Sequence, residues 1–176
     1  MTAAELQVVQ VHPDDALAGP LFAELAVEYD TRYGDLFGGA AEELTRYPAA
    51  AFRPPSGDFL LLVEDGAAVA GGAFMQHSSG AAEVKRMWTA ATHRRRGLAR
   101  RVLTELEQRA AAAGYRRMYL TTGPRQPEAR DLYLAAGWTP LFDPAVPRPT
   151  DTETLRALPV AQRLYAFEKH LPGDRS

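Results

Sequence analysis

The sequence contains no cysteine among its 176 residues. This absence excludes disulfide bonds, thiolate nucleophiles and cysteine-based metal sites, and with them any reaction through a cysteine-bound intermediate. The four histidines are scattered and show none of the spacings that metal-binding motifs require. We therefore expect no metal cofactor.

The chain also lacks a strong net charge and a long hydrophobic run. Its formal net charge is −2, which argues against a dedicated nucleic-acid-binding protein, because such domains are basic as a whole. The longest strongly apolar run, Phe59–Val63, is far too short to span a bilayer. Residues Met1–Val11 lack the basic region and apolar core of a signal peptide. The sequence thus predicts a cytoplasmic protein without a nucleic-acid or membrane partner.

No internal repeat, low-complexity stretch or linker divides the sequence, so we expect a single domain over residues 1–176. The first half predicts a strand at Leu6–Val11 and a helix that starts near Pro13. A second helix is predicted around Ala40–Arg46. Two strands then flank Asp65-Gly66, which is a strong hairpin signal.

Strands and helices alternate in the second half. A strand at Tyr115–Thr122 precedes a helix that begins at Pro127, a residue suited to a first helical position. Two further strands are predicted at Trp138–Phe142 and Arg163–His170. The proline-rich stretch Asp143–Pro159 between them is expected to form a long loop beside the functional site. Mixed strands with helices on both faces indicate an α/β sandwich.

Three consecutive arginines precede a glycine in the run His93–Ala99. Glycine in a basic turn lets backbone N–H groups approach an anion closely, and a helix that follows adds the positive end of its dipole. Such a run is also typical of a solvated surface or a nucleic-acid patch. Its context favours the anion site, because a strand precedes it and an amphipathic helix, which stops before Gly114, follows it.

The strand before this turn alternates apolar and polar residues with a period of two. The alternation predicts that Val84 and Trp88 share one face of the sheet and that Glu83, Lys85 and Met87 lie on the other.

Two stretches of the sequence resemble signatures of the GNAT superfamily of acetyl-CoA-dependent N-acyltransferases. The first joins Glu83–Thr89 to the basic turn, whose spacing R-x-x-G-x-A resembles the family's coenzyme A-binding motif. The second runs from Thr121 to Trp138 and contains T-T-G, Q-P-E-A and L-Y in the family's order. Ala99 stands where many relatives have a third glycine, and Gln126 lies where relatives often carry an asparagine that contacts the cofactor.

The resemblance implies a fold, a cosubstrate and a reaction. The fold is a GNAT-type three-layer α/β sandwich with a mixed, mostly antiparallel central sheet that is splayed at the cofactor site. The reaction is transfer of an acetyl group from acetyl-CoA to an amine, by direct attack in a ternary complex. The residues implied to hold the cofactor are Met87, Trp88, Thr89, Arg94, Arg95, Arg96, Gly97, Leu98, Ala99, Arg100, Gln126 and Ala129.

The same resemblance implies two catalytic residues. Glu83 is the candidate base that removes a proton from the acceptor, directly or through a water, because an ammonium has no lone pair. The alternative for Glu83 is an ion pair with Lys85 or Arg86 on the strand surface. Tyr133 matches the tyrosine that protonates the departing thiolate in many relatives, and its alternative role is packing on a helix face.

In GNAT proteins the first two helices usually shape the acceptor pocket, so the resemblance implies that the acids and aromatic residues Glu28, Tyr29 and Tyr33 bind the acceptor. The alternative is an ordinary helix end with Tyr29 packed inward. A small-molecule amine is the expected acceptor, while peptide N-termini, protein lysines and a homodimer remain open. A second function, from a different class, is a non-catalytic acyl-CoA-binding sensor or scaffold domain.

Overall fold

A seven-stranded mixed sheet forms the centre of the computed structural model, which describes residues 3–173. The strands are β1 (Gln7–Gln10), β2 (Asp58–Glu64), β3 (Ala67–Ser78), β4 (Ala81–Thr89), β5 (Arg117–Thr122), β6 (Thr139–Pro140) and β7 (Tyr165–His170). The helices are α1 (Gly19–Tyr33), α2 (Ala40–Thr45), α3 (Leu98–Ala112), α4 (Pro127–Ala135), α5 (Thr152–Ala157) and α6 (Val160–Arg163). The ends of the domain predicted over residues 1–176, residues 1–2 and 174–176, lie outside the described part.

The strands lie in the order β1-β2-β3-β4-β5-β7-β6, and all described neighbours are antiparallel except β4 and β5. The parallel ladder joins only Ala81–Glu83 to Arg117–Tyr119. Both strands continue beyond it, β4 to Thr89 and β5 to Thr122, without pairing to each other. The sheet therefore splays open between β4 and β5. The predicted α/β sandwich with a splayed, mostly antiparallel sheet is confirmed.

Two hydrophobic layers cover the two faces of the sheet. Helix α3 buries Leu103 and Leu106 in one layer, and α1 buries Leu21 and Leu25 in the other. Successive side chains of β2 pack in opposite hydrophobic layers, because side chains alternate between the two faces of a strand. Both faces of this strand are covered. This is why the run at Phe59–Val63 is apolar at every position.

A β-bulge interrupts β4. Trp88 lies opposite Gly71 and Lys85 opposite Ala73, so two residues of β4, Arg86 and Met87, face a single residue of β3. Arg86 has a φ of 61°, which is uncommon for a residue other than glycine.

The bulge reverses the orientation of the side chains that follow it. Val84 belongs to the layer under α3, whereas Trp88 belongs to the layer under α1. The prediction that Val84 and Trp88 share a face is therefore wrong. Met87 packs in the same layer as Val84. A strict period of two fails here because the extra residue shifts the alternation by one position.

The C-terminal third differs from its predicted elements. The strand expected at Trp138–Phe142 shortens to two residues, and the expected loop Asp143–Pro159 contains α5. The Asp151 carboxylate caps α5 by accepting a hydrogen bond of 2.8 Å from the Thr154 backbone N–H, and Leu155 is fully buried. None of the helices within residues 3–173 is long and apolar enough to cross a membrane.

Candidate active site

Three adjoining cavities follow the opening between β4 and β5. A basic groove of about 610 Å³ lies against the start of α3 and one face of α4. A junction of about 140 Å³ lies between the ends of β4 and β5. An aromatic cavity of about 420 Å³ lies between the end of α1, α2 and α6. Gln126 is the only described residue that lines all three cavities, so it marks the point where they meet.

The basic groove is built on the turn that precedes α3. Gly97 adopts a φ of 73° there, and a Cβ at this position would meet open space, so the turn has a left-handed residue but no steric obstacle at its surface. The first N–H groups of α3 have no partner within the helix, and the helix dipole adds positive charge at the same end. The turn and the first residues of α3 line the groove through Arg94, Arg95, Gly97, Leu98, Ala99 and Arg100.

Arg96 behaves differently from its neighbours in the turn. Its guanidinium donates to both carboxylate oxygens of Glu64 on β2, at 2.7 and 3.3 Å, and Arg96 does not line the groove. This pairing raises the pKa of the Arg96 guanidinium and lowers the pKa of the Glu64 carboxyl. The structure therefore does not bring the predicted Arg96 side chain into the groove, but uses it to attach the turn to β2.

The end of β4 forms a second wall of the groove. Met87, Trp88 and Thr89 all line it. Beyond Glu83 the ladder to β5 has ended, so this edge of β4 has no strand partner within the described residues. The Trp88 indole N–H donates to Glu24 on α1 at 2.8 Å, which holds the ring in the layer under α1. An exposed strand edge of this kind accepts an extended ligand through backbone hydrogen bonds.

Tyr133 on α4 faces both the groove and the junction, together with Ala129. Its ring packs against Trp138 and Phe167, with centroid distances of 6.0 and 5.6 Å. Burial raises the pKa of the Tyr133 phenol well above its ordinary value, so the phenol keeps its proton at neutral and at moderately alkaline pH. The packing fixes the ring, and the location places Tyr133 between two cavities, so both roles considered from the sequence are compatible with this site.

The predicted base, Glu83, lines none of the three cavities. Its carboxylate lies 3.1 Å from Lys85 Nζ and 3.3 Å from His77 Nδ1. The structure thus shows the Lys85 pair that the sequence left as the alternative. Within the described residues Glu83 approaches the junction only through Lys85, and its role as a base stays a prediction.

A different carboxylate lies at the junction. Glu43 on α2 lines both the junction and the aromatic cavity, and no other described carboxylate lines either of them. Its backbone carbonyl accepts a hydrogen bond of 3.0 Å from Arg86, which ties α2 to the bulge of β4. The sequence pattern showed only a short helix around Ala40–Arg46, without a motif that would distinguish this glutamate.

The aromatic cavity receives two of the three predicted acceptor residues. Tyr29 and Tyr33 line it, and burial raises the pKa of each phenol to about 12. Glu28 lies instead in the basic groove, 3.3 Å from Arg32, so the structure does not bring it to this cavity. The remaining walls are largely apolar and are formed by Leu36, Phe37, Ala40, Val160 and Leu164.

Gln126 has a fixed orientation at the meeting point. Its amide oxygen faces three donors, the Tyr33 hydroxyl at 3.3 Å, the Thr122 hydroxyl at 3.4 Å and the Gly123 backbone N–H at 3.3 Å. These donors assign the position of the amide oxygen and therefore that of the amide nitrogen. A Cβ at Gly123 would collide with the Tyr33 hydroxyl, so the glycine allows this close approach.

The family model for the acetyltransferase (GNAT) family matches residues 22–138. This range contains most of α1, all of α2 to α4, the bulge of β4, the basic turn and Tyr133. No curated protein matches the chain in sequence.

Solved structures share the fold over nearly the whole chain. A Klebsiella pneumoniae protein, provisionally named an acyl-CoA N-acyltransferase, is 25% identical with a TM-score of 0.69, covering 97% of this chain and 100% of its own. An acetyltransferase of the GNAT family from Staphylococcus aureus is 10% identical with a TM-score of 0.70, covering 96% and 100%. The Salmonella typhimurium protein yncA, solved with acetyl-CoA, is 16% identical with a TM-score of 0.67, covering 98% of both chains.

The match spans most of the described residues and includes every element that builds the groove and the junction. GNAT acetyltransferases use acetyl-CoA, which confirms the cosubstrate expected from the sequence. The basic turn, the helix start and the free edge of β4 fit such an anionic, extended ligand. The chain belongs to the acetyltransferase (GNAT) family and is an acyltransferase that acts on acetyl-CoA or a related acyl-CoA.

Proposed function

We propose that this protein transfers the acetyl group of acetyl-CoA to the amine of a small molecule, by direct attack within a ternary complex. The observation that carries the proposal is the meeting of three cavities at Gln126. The donor occupies the basic groove and the acceptor occupies the aromatic cavity. The two ligands therefore reach the junction from opposite sides without passing each other.

The groove holds the donor through backbone groups and cations. The N–H groups from Arg95 to Ala99 bind the diphosphate, and the side chains of Arg94 and Arg95 add charge. The pantetheine arm pairs with the free edge of β4 at Met87 and Thr89. The bulge turns the backbone at this point, and a backbone N–H near Met87 polarises the thioester carbonyl.

The acceptor amine attacks from the aromatic cavity. Its nitrogen forms a bond to the thioester carbonyl carbon, the carbon–sulfur bond breaks, and one proton must leave the nitrogen. Glu43 is the carboxylate placed to accept that proton, directly or through one water, because it lines the junction and the acceptor side together. Glu83 takes part in this scheme by holding Lys85, which lies 3.8 Å from Glu43.

The departing sulfur receives its proton on the donor side. Tyr133 lines the groove and the junction, and its buried phenol stays protonated. The phenol donates that proton as the carbon–sulfur bond breaks, and the proton that Glu43 took up returns to the phenolate through solvent, so the products are an amide and free coenzyme A. The aromatic rings around Tyr133 keep the phenol in place for this transfer.

The size of the aromatic cavity supports a small-molecule acceptor. At about 420 Å³ it lies in the range of ordinary ligand sites, and aromatic and aliphatic side chains form most of its wall.

A thiol-release assay with acetyl-CoA and a panel of amines tests the proposal. The panel contains small amines, amino acids, a peptide with a free N-terminus and a lysine-containing peptide. We expect release with at least one small-molecule class and no release without an acceptor. Binding of acetyl-CoA without release from any amine would favour the sensor or scaffold function instead. Release only with the peptides would overturn the small-molecule proposal.

A further inference from the structure

Cations outnumber carboxylates where the aromatic cavity enters the junction. Three positive side chains surround Glu43, with nitrogen–oxygen distances of 3.3 Å for Arg46, 3.8 Å for Lys85 and 3.5 Å for Arg86. Lys85 also pairs with Glu83, which accounts for one of these charges. The Glu43 carboxylate can neutralise only one of the two remaining positive charges. The entrance therefore retains one positive charge that the described residues do not neutralise.

Arg86 carries an unmatched donor at this entrance. The residue is 3% exposed, lines the junction, and its Nε has no hydrogen-bond partner within residues 3–173. A buried donor without a partner is costly, and a guanidinium N–H binds most strongly to an anionic oxygen. This enclosed donor adds to the excess of positive charge at the entrance, and the two observations together favour an anionic group on a ligand.

The position of these charges restricts where that anionic group lies on the acceptor. Arg46 Nη1 is 3.3 Å from Glu43 Oε2, so a positive and a negative side chain lie in direct contact at the wall of the cavity. A ligand that meets both must carry its own amine and anion close together. An amine and a carboxylate on the same carbon meet this requirement, and a simple amine does not.

The remaining walls of the aromatic cavity indicate what kind of side chain the acceptor carries. Leu36, Phe37 and Leu164 line it, and Val160, which is 55% exposed, lies at α6 on the same wall. Arg46 and Glu43 are its only charged lining residues. An apolar side chain on the ligand would cover these residues, whereas a charged side chain would lose water there without a partner.

We propose that the acceptor is an α-amino acid with an aliphatic or aromatic side chain. Its amine faces Glu43, its carboxylate pairs with the guanidinium groups of Arg46 and Arg86, and its side chain lies against the apolar wall. This inference rests on the proposed function, since it names the substrate class of the same site. Arg46 and Arg86 are then the residues that determine specificity for the carboxylate.

Matched substrate pairs test the carboxylate directly. Phenylalanine is compared with phenethylamine, and leucine with isoamylamine, because each pair differs only in the carboxylate. Rates are compared per free amine, since the carboxylate also lowers the pKa of the amine beside it. We expect kcat/KM from thiol release to be at least about tenfold higher for each amino acid, which corresponds to about 1.4 kcal/mol, as for a charge-assisted hydrogen bond. Aspartate and lysine are expected to be slower than leucine because of the apolar wall.

Variants of Arg46 test whether this residue causes the preference for amino acids over amines. Arg46→Gln is expected to reduce the amino acid to amine ratio toward one, and Arg46→Lys to restore part of it. Arg53→Gln is the matched control, because Arg53 is exposed and lines none of the three cavities. The ratio should stay at the parent value in that control.

The outcomes separate the two proposals. Equal kcat/KM within both pairs, or a ratio unchanged in Arg46→Gln, overturns the amino acid acceptor while acetylation of amines still supports the proposed function. Equal rates with leucine and aspartate overturn the apolar side chain. Absence of release with every amine, although acetyl-CoA binds, overturns the proposed function and the inference with it.

Discussion

The basic groove and the aromatic cavity are built in different ways. One short stretch, Arg94–Arg100, supplies much of the groove, and backbone N–H groups at a helix start are its main binding elements. The aromatic cavity is built from side chains of α1, α2, β5 and α6, and Arg163 joins α6 to the segment after α1 by donating to the Leu36 carbonyl at 3.1 Å. The donor side therefore depends on local backbone geometry, and the acceptor side depends on side chains brought together by the fold.

Hydrogen bonds across the chain keep the acceptor side in place. Arg32 and Arg125 each donate to the backbone carbonyl of the other at 2.5 Å, and the Tyr33 hydroxyl accepts from the Arg125 backbone N–H at 3.1 Å. These bonds join the end of α1 to the loop between β5 and α4. Substitutions that affect the acceptor side are thus expected to change turnover and specificity, and substitutions in the turn are expected to change donor affinity.

The largest expected effect is on the acceptor side. Glu43→Gln removes the proposed proton acceptor, so kcat should fall by about a hundredfold or more, most strongly at acidic pH where free amine is scarce. Affinity for acetyl-CoA, measured by calorimetry, should change little because Glu43 does not line the groove.

Glu83→Gln is the matched comparison for Glu43→Gln. Because Glu83 reaches the junction only through Lys85 among the described residues, we expect a smaller loss with the same pH dependence as the parent. A larger loss of kcat in Glu83→Gln than in Glu43→Gln would identify Glu83 as the base, as the sequence predicted.

Tyr133→Phe tests the donor side of the chemistry. The variant keeps the packed ring and removes the phenolic proton, so single-turnover rates should fall by about ten- to a hundredfold, with acetyl-CoA affinity retained. Tyr115→Phe is the control, because Tyr115 lies outside the three cavities. Parent rates in Tyr133→Phe would mean that water protonates the sulfur.

The pH profile of the parent enzyme gives a second measurement on Tyr133. Burial raises the pKa of this phenol, so it keeps its proton as the pH rises through its ordinary value of about 10. The single-turnover rate should therefore show no loss of the acid up to that pH. A decline that begins near pH 8 and disappears in Tyr133→Phe would contradict the raised pKa.

Gly97→Val tests the backbone of the turn. A β-branched residue at a φ of 73° is strained and covers the surface where the diphosphate binds, so acetyl-CoA affinity should fall at least about tenfold. Gly114→Val is the control, because Gly114 has a φ of 95° and equally open space at the other end of α3. Equal affinities in the two variants, both folded, would show that the turn does not hold the donor.

The smallest effect is expected within the arginine run itself. Arg96→Gln should leave acetyl-CoA affinity unchanged, because its guanidinium is paired with Glu64. Arg95→Gln should lower affinity by about two- to fivefold, as expected for an exposed charge. Calorimetry of the two variants at the same ionic strength distinguishes these side chains, and the reverse order would place Arg96 on the donor.

The success of the sequence predictions differs between the basic groove and the acceptor side. Gly97 and Pro127 mark helix starts by their own conformational preferences, so the groove and the start of α4 could be predicted from neighbouring residues. Glu43 could not be predicted, because it reaches the junction only when α2 packs beside the bulge of β4. The same packing leaves Glu83 beside Lys85 and outside the cavities.

The sequence by itself determined the order of strands and helices, the basic turn and the family, because these depend on residues that lie close together along the chain. The tertiary structure decided which side chains meet. Arg86 shows the physical reason, since its φ of 61° is disfavoured locally. Its guanidinium binds the Glu43 carbonyl and lies over the Phe52 ring, 5.7 Å from the ring centroid. These distant contacts hold the bulge, reverse the faces of β4 and bring Glu43 to the junction.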